Sequence, residues 1–140
     1  MLSLLRRDSC HFDRVRTIQL VLASVFFVLG GWCLVSPASV LELTIMPSYR
    51  SDAPIVPILI RAFGAQALIA GLFAALARFT RATFLAYGIV LIPFFLFDYW
   101  FFAVEPMLTW IGLLDAAGNL VMLWLCVLGW RAAGAPRHRR

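Results

Sequence analysis

Four apolar runs constrain this chain more than any other feature of its sequence. They cover about residues 17–35, 58–77, 82–103 and 107–130. Each is roughly 19–24 residues, and at about 1.5 Å of helical rise per residue that crosses about 30 Å of hydrocarbon. Backbone inside hydrocarbon must satisfy its own hydrogen bonds, so the runs are predicted as helices. The expected fold class is all-α, an antiparallel four-helix bundle of an integral membrane protein. Composition agrees: 14% of residues are charged, against roughly 25% in a soluble domain.

The formal charge of +5 invites a nucleic-acid reading, but the arginines mark segment ends instead. Arg6, Arg7, Arg14 and Arg16 precede the first run, Arg78 and Arg81 bound the turn "RFTR", and Arg131, Arg137, Arg139 and Arg140 follow the fourth. Four crossings put all of these on one side. The positive-inside rule then predicts both termini in the cytoplasm, and the absence of lysine points to a bacterial inner membrane. Residues 1–16 are a cytoplasmic segment on this reading, 17–130 one transmembrane domain and 131–140 a basic tail. The first run exceeds the 7–15 residues of a signal-peptide core, so it is expected to be a retained anchor.

Proline gives local punctuation. Pro57 and Pro106 are predicted to open the second and fourth helices, where a missing N–H is tolerated. Pro93 is predicted to kink the third. The long connection 36–57 contains "SVLELTIM", apolar enough to lie in the interface.

Ionisable groups at membrane depth are costly and need a reason. Arg61 and Asp98 each fall about 5–6 Å inside the ends of their helices, Asp115 about 12 Å, Gln66 about 12–13 Å and Asn119 about 18 Å. Arg61 and Asp98 share a level, so they are the expected ion pair. Arg50 is the other cation able to reach in from the loop. Paired in that way, Asp98 leaves Asp115 to keep its proton or to meet water. Arg61, Gly64, Leu68, Gly71 and Ala75 share one side of the second helix, where small residues allow close approach. Gly112, Asp115, Asn119, Met122 and Cys126 form a stripe on the fourth. Thr17, Ser24 and Gly31 make a weaker packing face on the first. The candidate ligand or proton site is therefore Arg61, Gln66, Asp98, Asp115 and Asn119, with Gly64, Gly71, Ala75 and Gly112 as helix-packing positions.

Catalytic chemistry finds little support. Cys10, Cys33 and Cys126 are not in a CxxC or zinc-ligand spacing, and His11 and His138 are isolated, so no metal site and no thiol–disulfide centre is expected. Cys33 and Cys126 read as small buried apolar groups. No residue is assigned as catalytic and no cofactor is required, although the aromatic residues around Asp98 would suit a quinone.

The segments "IRAFGAQALIAGLFAALARF" and "GLLDAAGNLVML", with a lone acid in the third helix, resemble the small four-helix bacterial membrane proteins of DoxX-like type. The residues carrying the likeness are Arg61, Gly64, Gly71, Asp98 and Asp115. The resemblance implies a four-helix bundle and, for some relatives, association with respiratory or redox membrane complexes. Small multidrug-resistance transporters fit less well, because they place an acid in the first helix, which has none here. Two function classes follow. One is a non-catalytic accessory or scaffold subunit, in a homo-oligomer or larger membrane complex, in which the polar residues only brace helices. The other is a small transporter or lipophilic-ligand binder that uses them.

Overall fold

A computed structural model of the protein describes residues 2–134, with side chains from residue 14 onward. The basic residues Arg137, His138, Arg139 and Arg140, like Cys10 and His11, lie outside the described residues or side chains.

The described chain is all-helical. Its elements are α1 (Leu2–Val35), α2 (Pro37–Thr44), α3 (Ile55–Leu76), α4 (Arg81–Val90), α5 (Ile92–Tyr99) and α6 (Leu113–Ala133). Four stretches are long and apolar enough to cross a membrane: Arg14–Val35, Ile55–Leu76, Arg81–Val104 and Leu113–Ala133. These are the four runs of the sequence, with the third and fourth adjusted.

The third run is not one helix. It breaks at Leu91, between α4 and α5, because Pro93 has no N–H to donate and its ring crowds the preceding turn. The chain continues through a π-helical turn, Trp100–Val104, closed by the Glu105 N–H donating to the Trp100 carbonyl at 2.8 Å. The fourth helix starts at Leu113, so Pro106 does not open it. Residues 105–112 are instead engaged by the first long connection. Met46 N–H donates to Met107 O at 2.8 Å, Thr109 N–H donates to Thr44 O at 2.9 Å, and the Thr109 hydroxyl donates to Leu43 O at 2.5 Å. That first connection carries α2, which covers part of "SVLELTIM". Trp32 Nε1 donates to Ser39 Oγ at 2.9 Å, tying α2 to α1. Arg50 does not reach into the interior; it donates to Glu42 O and Ile45 O near the end of α2.

Packing follows the small residues. α3 lies along α1, α1 meets α6, and α6 meets α4 and α5, while α3 has no packed interface with α4, α5 or α6. At the α1–α3 crossing, a Cβ on Gly64 would fall 2.7 Å from Gly30 O, and one on Gly30 would fall 2.8 Å from Gly64 O. Side chains at either position would force the backbones apart. Gly71 continues this face, against Phe26 and the Ala23 carbonyl. The packing glycine of α1 is thus Gly30, not Gly31, which has open space beyond it, and Ser24 is exposed. Gly112 lets the Thr44 carbonyl approach to within 2.8 Å of where a Cβ would stand.

The core is concentrated towards the α3–α4 turn. Leu22, Ala74, Phe84, Leu125 and Cys126 are buried there, with Phe79 of the turn itself stacked edge-on against Phe84 at 5.0 Å. Thr80 and Thr83 form a reciprocal capping box that starts α4. The end of α3 is capped in trans. Gln19 Nε2 donates to Ala74 O at 2.6 Å and Ala77 O at 2.7 Å, and an Arg16 guanidinium nitrogen donates to Ala75 O at 2.7 Å. The last carbonyls of a helix have no partner within it, and a buried orphan costs about 1–3 kcal/mol. The amide and guanidinium of α1 remove that cost and fix the level of α1 against α3.

Candidate functional site

Because α3 and α5 do not pack together, a cleft opens between them towards the end of the molecule roofed by α2 and residues 107–112. Its volume is about 450 Å³, within the range of about 300–1,000 Å³ usual for small-molecule sites. Leu59, Ile60 and Phe63 of α3 form one wall, and Phe94 and Phe97 of α5 form the other. Trp32 and Cys33 of α1 lie across the back, and Val40, Thr44 and Leu108 close the top. Leu59, Phe63 and Phe97 are all at least half exposed, so the mouth is lateral and apolar.

Two carboxylates line this otherwise apolar space, Asp98 from α5 and Asp115 from the first turn of α6. Asp98 is only 9% exposed. Asn119 stands behind them, 2% exposed, and its amide nitrogen donates to Asp98 Oδ2 at 3.1 Å and to Asp115 Oδ2 at 3.3 Å. A primary amide has two N–H groups, and both are used here, one per carboxylate. Asn119 and Asp115 meet in this way because they are one helical turn apart. Asp98 reaches the same point because α5 packs on α6. Met122 and Cys126, the rest of the predicted stripe, are buried along the same helix.

The expected cation is elsewhere. Arg61 is exposed, no ion pair or hydrogen bond joins it to Asp98 among the described residues, and it does not line the cleft. A shared depth along two helices does not fix the direction in which each side chain faces. Gly64 and Gly71 turn their face of α3 onto α1 and not towards α5. Gln66 is also exposed and outside the cleft. Of the five candidate site residues, the structure brings together Asp98, Asp115 and Asn119. Of the packing positions, Gly64, Gly71 and Gly112 make close backbone approaches, while Ala75 contributes its carbonyl to Arg16.

Sequence reasoning overlooked Gln19 and Arg16. Their signal was level: both sit at the arginine-marked end, opposite the place where α3 must finish. Trp32 and Cys33 were legible only as apolar residues.

Comparison with known proteins gives no match to a family model, to a curated protein or to a solved structure.

Proposed function

We propose that the chain is a small multi-pass membrane protein that holds a lipophilic molecule with a cationic or hydrogen-bond-donating head in the cleft between α3 and α5. On this reading the four spans run antiparallel through a bacterial inner membrane, with Arg14, Arg16, Arg78, Arg81 and Arg131 at the cytoplasmic side. The positive-inside rule supports that orientation. The fold supports it as well: Arg16 lies at the end of α3, and Arg81 at the end of α6.

One observation carries the functional reading: among the described residues, two carboxylates and no cation line an apolar, laterally open cleft. An acid in hydrocarbon needs a proton, a cation or water. Aromatic walls attract positive charge through their ring faces. Asp98 and Asp115 offer acceptors, and the one fixed amide is already committed to them. A quinone, which presents carbonyl acceptors, would need a protonated carboxyl to donate to it. An alkyl ammonium donates directly to a carboxylate and neutralises one of the two.

The test is binding of a fluorescent arylalkylamine to the purified protein in nanodiscs, with its neutral N-acetyl derivative as control. Saturable binding of the amine is expected, with the acetamide at least tenfold weaker, since charged hydrogen bonds contribute about 1.5–3 kcal/mol. The Asp98→Asn/Asp115→Asn pair should lose the amine yet fold, because amides can still pair with Asn119. Equal binding of amine and acetamide, or wild-type binding by the double variant, refutes the reading.

The accessory-subunit reading draws on a different observation. α3 packs mainly on α1 and α2, leaving Ile69, Leu72, Phe73 and Leu76 exposed along one flank. The likeness to DoxX-like proteins fits either reading. Crosslinking from Phe73 in native membranes separates a protein neighbour from lipid.

A further inference from the structure

A second apolar groove lies outside the carboxylate cleft, along the contact of α4 and α5 with α6. It holds about 470 Å³. Leu85, Ile89 and Ile92 form one wall, and Leu123 and Val127 form the other. Phe84 lies beneath, packed so closely on α6 that a Cβ at Gly129 would overlap its ring. From Leu123 to Arg131 the groove spans about 12 Å at the helical rise. That is most of one leaflet, taken as about half of 30 Å of hydrocarbon.

The groove ends in arginine: Arg131 lines it, and Arg81 stands beside it over the Trp130 ring. Arg81 is one turn before Leu85, and Arg131 is one turn after Val127, so each shares a face with its apolar stripe. The Arg81 guanidinium carbon stands 3.8 Å from the centroid of the Trp130 ring. Arg131 is exposed and lines the groove mouth beside Trp130. No carboxylate pairs with either arginine among the described residues. Arg81 is also the first residue of the ten-residue α4, whose dipole adds to the positive potential there.

We propose that this groove is a binding site for one anionic phospholipid, with an acyl chain along Leu85, Ile89 and Val127 and the headgroup phosphate held between Arg81 and Arg131. A planar guanidinium suits phosphate oxygens, and Trp130 is an indole at the expected headgroup level. The groove opens sideways from two apolar spans, so the phosphate arrives attached to a lipid. The proposal rests on the reading that these spans cross a bilayer, but not on any ligand in the carboxylate cleft.

The experiment reconstitutes the full chain in phosphatidylcholine nanodiscs containing one part in ten of phosphatidylglycerol and counts retained lipids by native mass spectrometry. Each basic residue near a membrane surface adds about fivefold in preference for anionic lipid. Two should therefore enrich phosphatidylglycerol about thirtyfold over its mole ratio, with one molecule retained. Arg131→Gln alone, at an exposed position, should cut the enrichment about fivefold. Val127→Phe should remove retention by filling the groove while both arginines stay. Equal retention of the two lipids, unchanged enrichment in Arg131→Gln, or displacement of the lipid by millimolar inorganic phosphate overturns the proposal. A protein that washes off vesicles in alkaline carbonate instead overturns the membrane reading beneath it.

Discussion

Gly30 and Gly31 are adjacent in sequence and should respond oppositely to alanine. A Cβ on Gly30 would stand 2.8 Å from Gly64 O, 3.0 Å from Ala67 Cβ and 3.0 Å from Leu68 N. The nearest comfortable C···O approach is about 3.3 Å, so α1 and α3 would have to separate by about half an ångström. A gap of that size forfeits about a quarter of the dispersion energy at each contact along the pair. Overpacking of this kind costs about 1–3 kcal/mol. Replacing glycine in a helix returns up to about 1 kcal/mol, and less where the unfolded chain stays helical in detergent. Gly30→Ala should therefore lose about 1–2 kcal/mol net. Gly31 has nothing within 4 Å of its added Cβ, so Gly31→Ala should be neutral or slightly stabilising. Gly64→Ala opposes the same contact from the other side. The Gly30→Ala/Gly64→Ala pair should then cost less than the two losses added, since one separation serves both. The assay is unfolding in mixed micelles of increasing dodecyl sulfate fraction, followed by circular dichroism. Equal losses for Gly30→Ala and Gly31→Ala, or strict additivity of the Gly30 and Gly64 changes, would refute this account of the crossing.

Two other substitutions probe the end of the molecule that holds the core. Gly129→Ala drives a methyl into the buried Phe84 ring and should cost about 1–3 kcal/mol; Phe84→Leu in the same chain should recover part of that loss in the same unfolding assay. Gln19→Leu leaves the Ala74 and Ala77 carbonyls without donors and should cost about 1–3 kcal/mol. Gln19→Glu should do no better in neutral buffer, because a carboxylate offers those carbonyls nothing; stability matching the wild type would contradict the capping role.

The long apolar runs alone determined that the described chain is helical, that four stretches can span a membrane, and that Pro93 interrupts the third. These are local consequences: hydrophobic length, the rise of a helix and the missing proline N–H act within one segment. Asp115 and Asn119 were legible as sharing one face for the same reason, one turn apart on one helix. What sequence could not supply was rotation and neighbourhood. Helical rise predicts a similar depth for Arg61 and Asp98, yet the Gly30–Gly64 crossing turns α3 onto α1. That leaves Arg61 exposed, while Asp98 meets Asn119. The fourth helix begins late because backbone groups of residues 107–109 pair with those of residues 43–46, a contact between segments more than sixty residues apart. The cleft has the same origin. It exists because α3 and α5 do not pack closely on one another, and a space between two helices has no signature in either one.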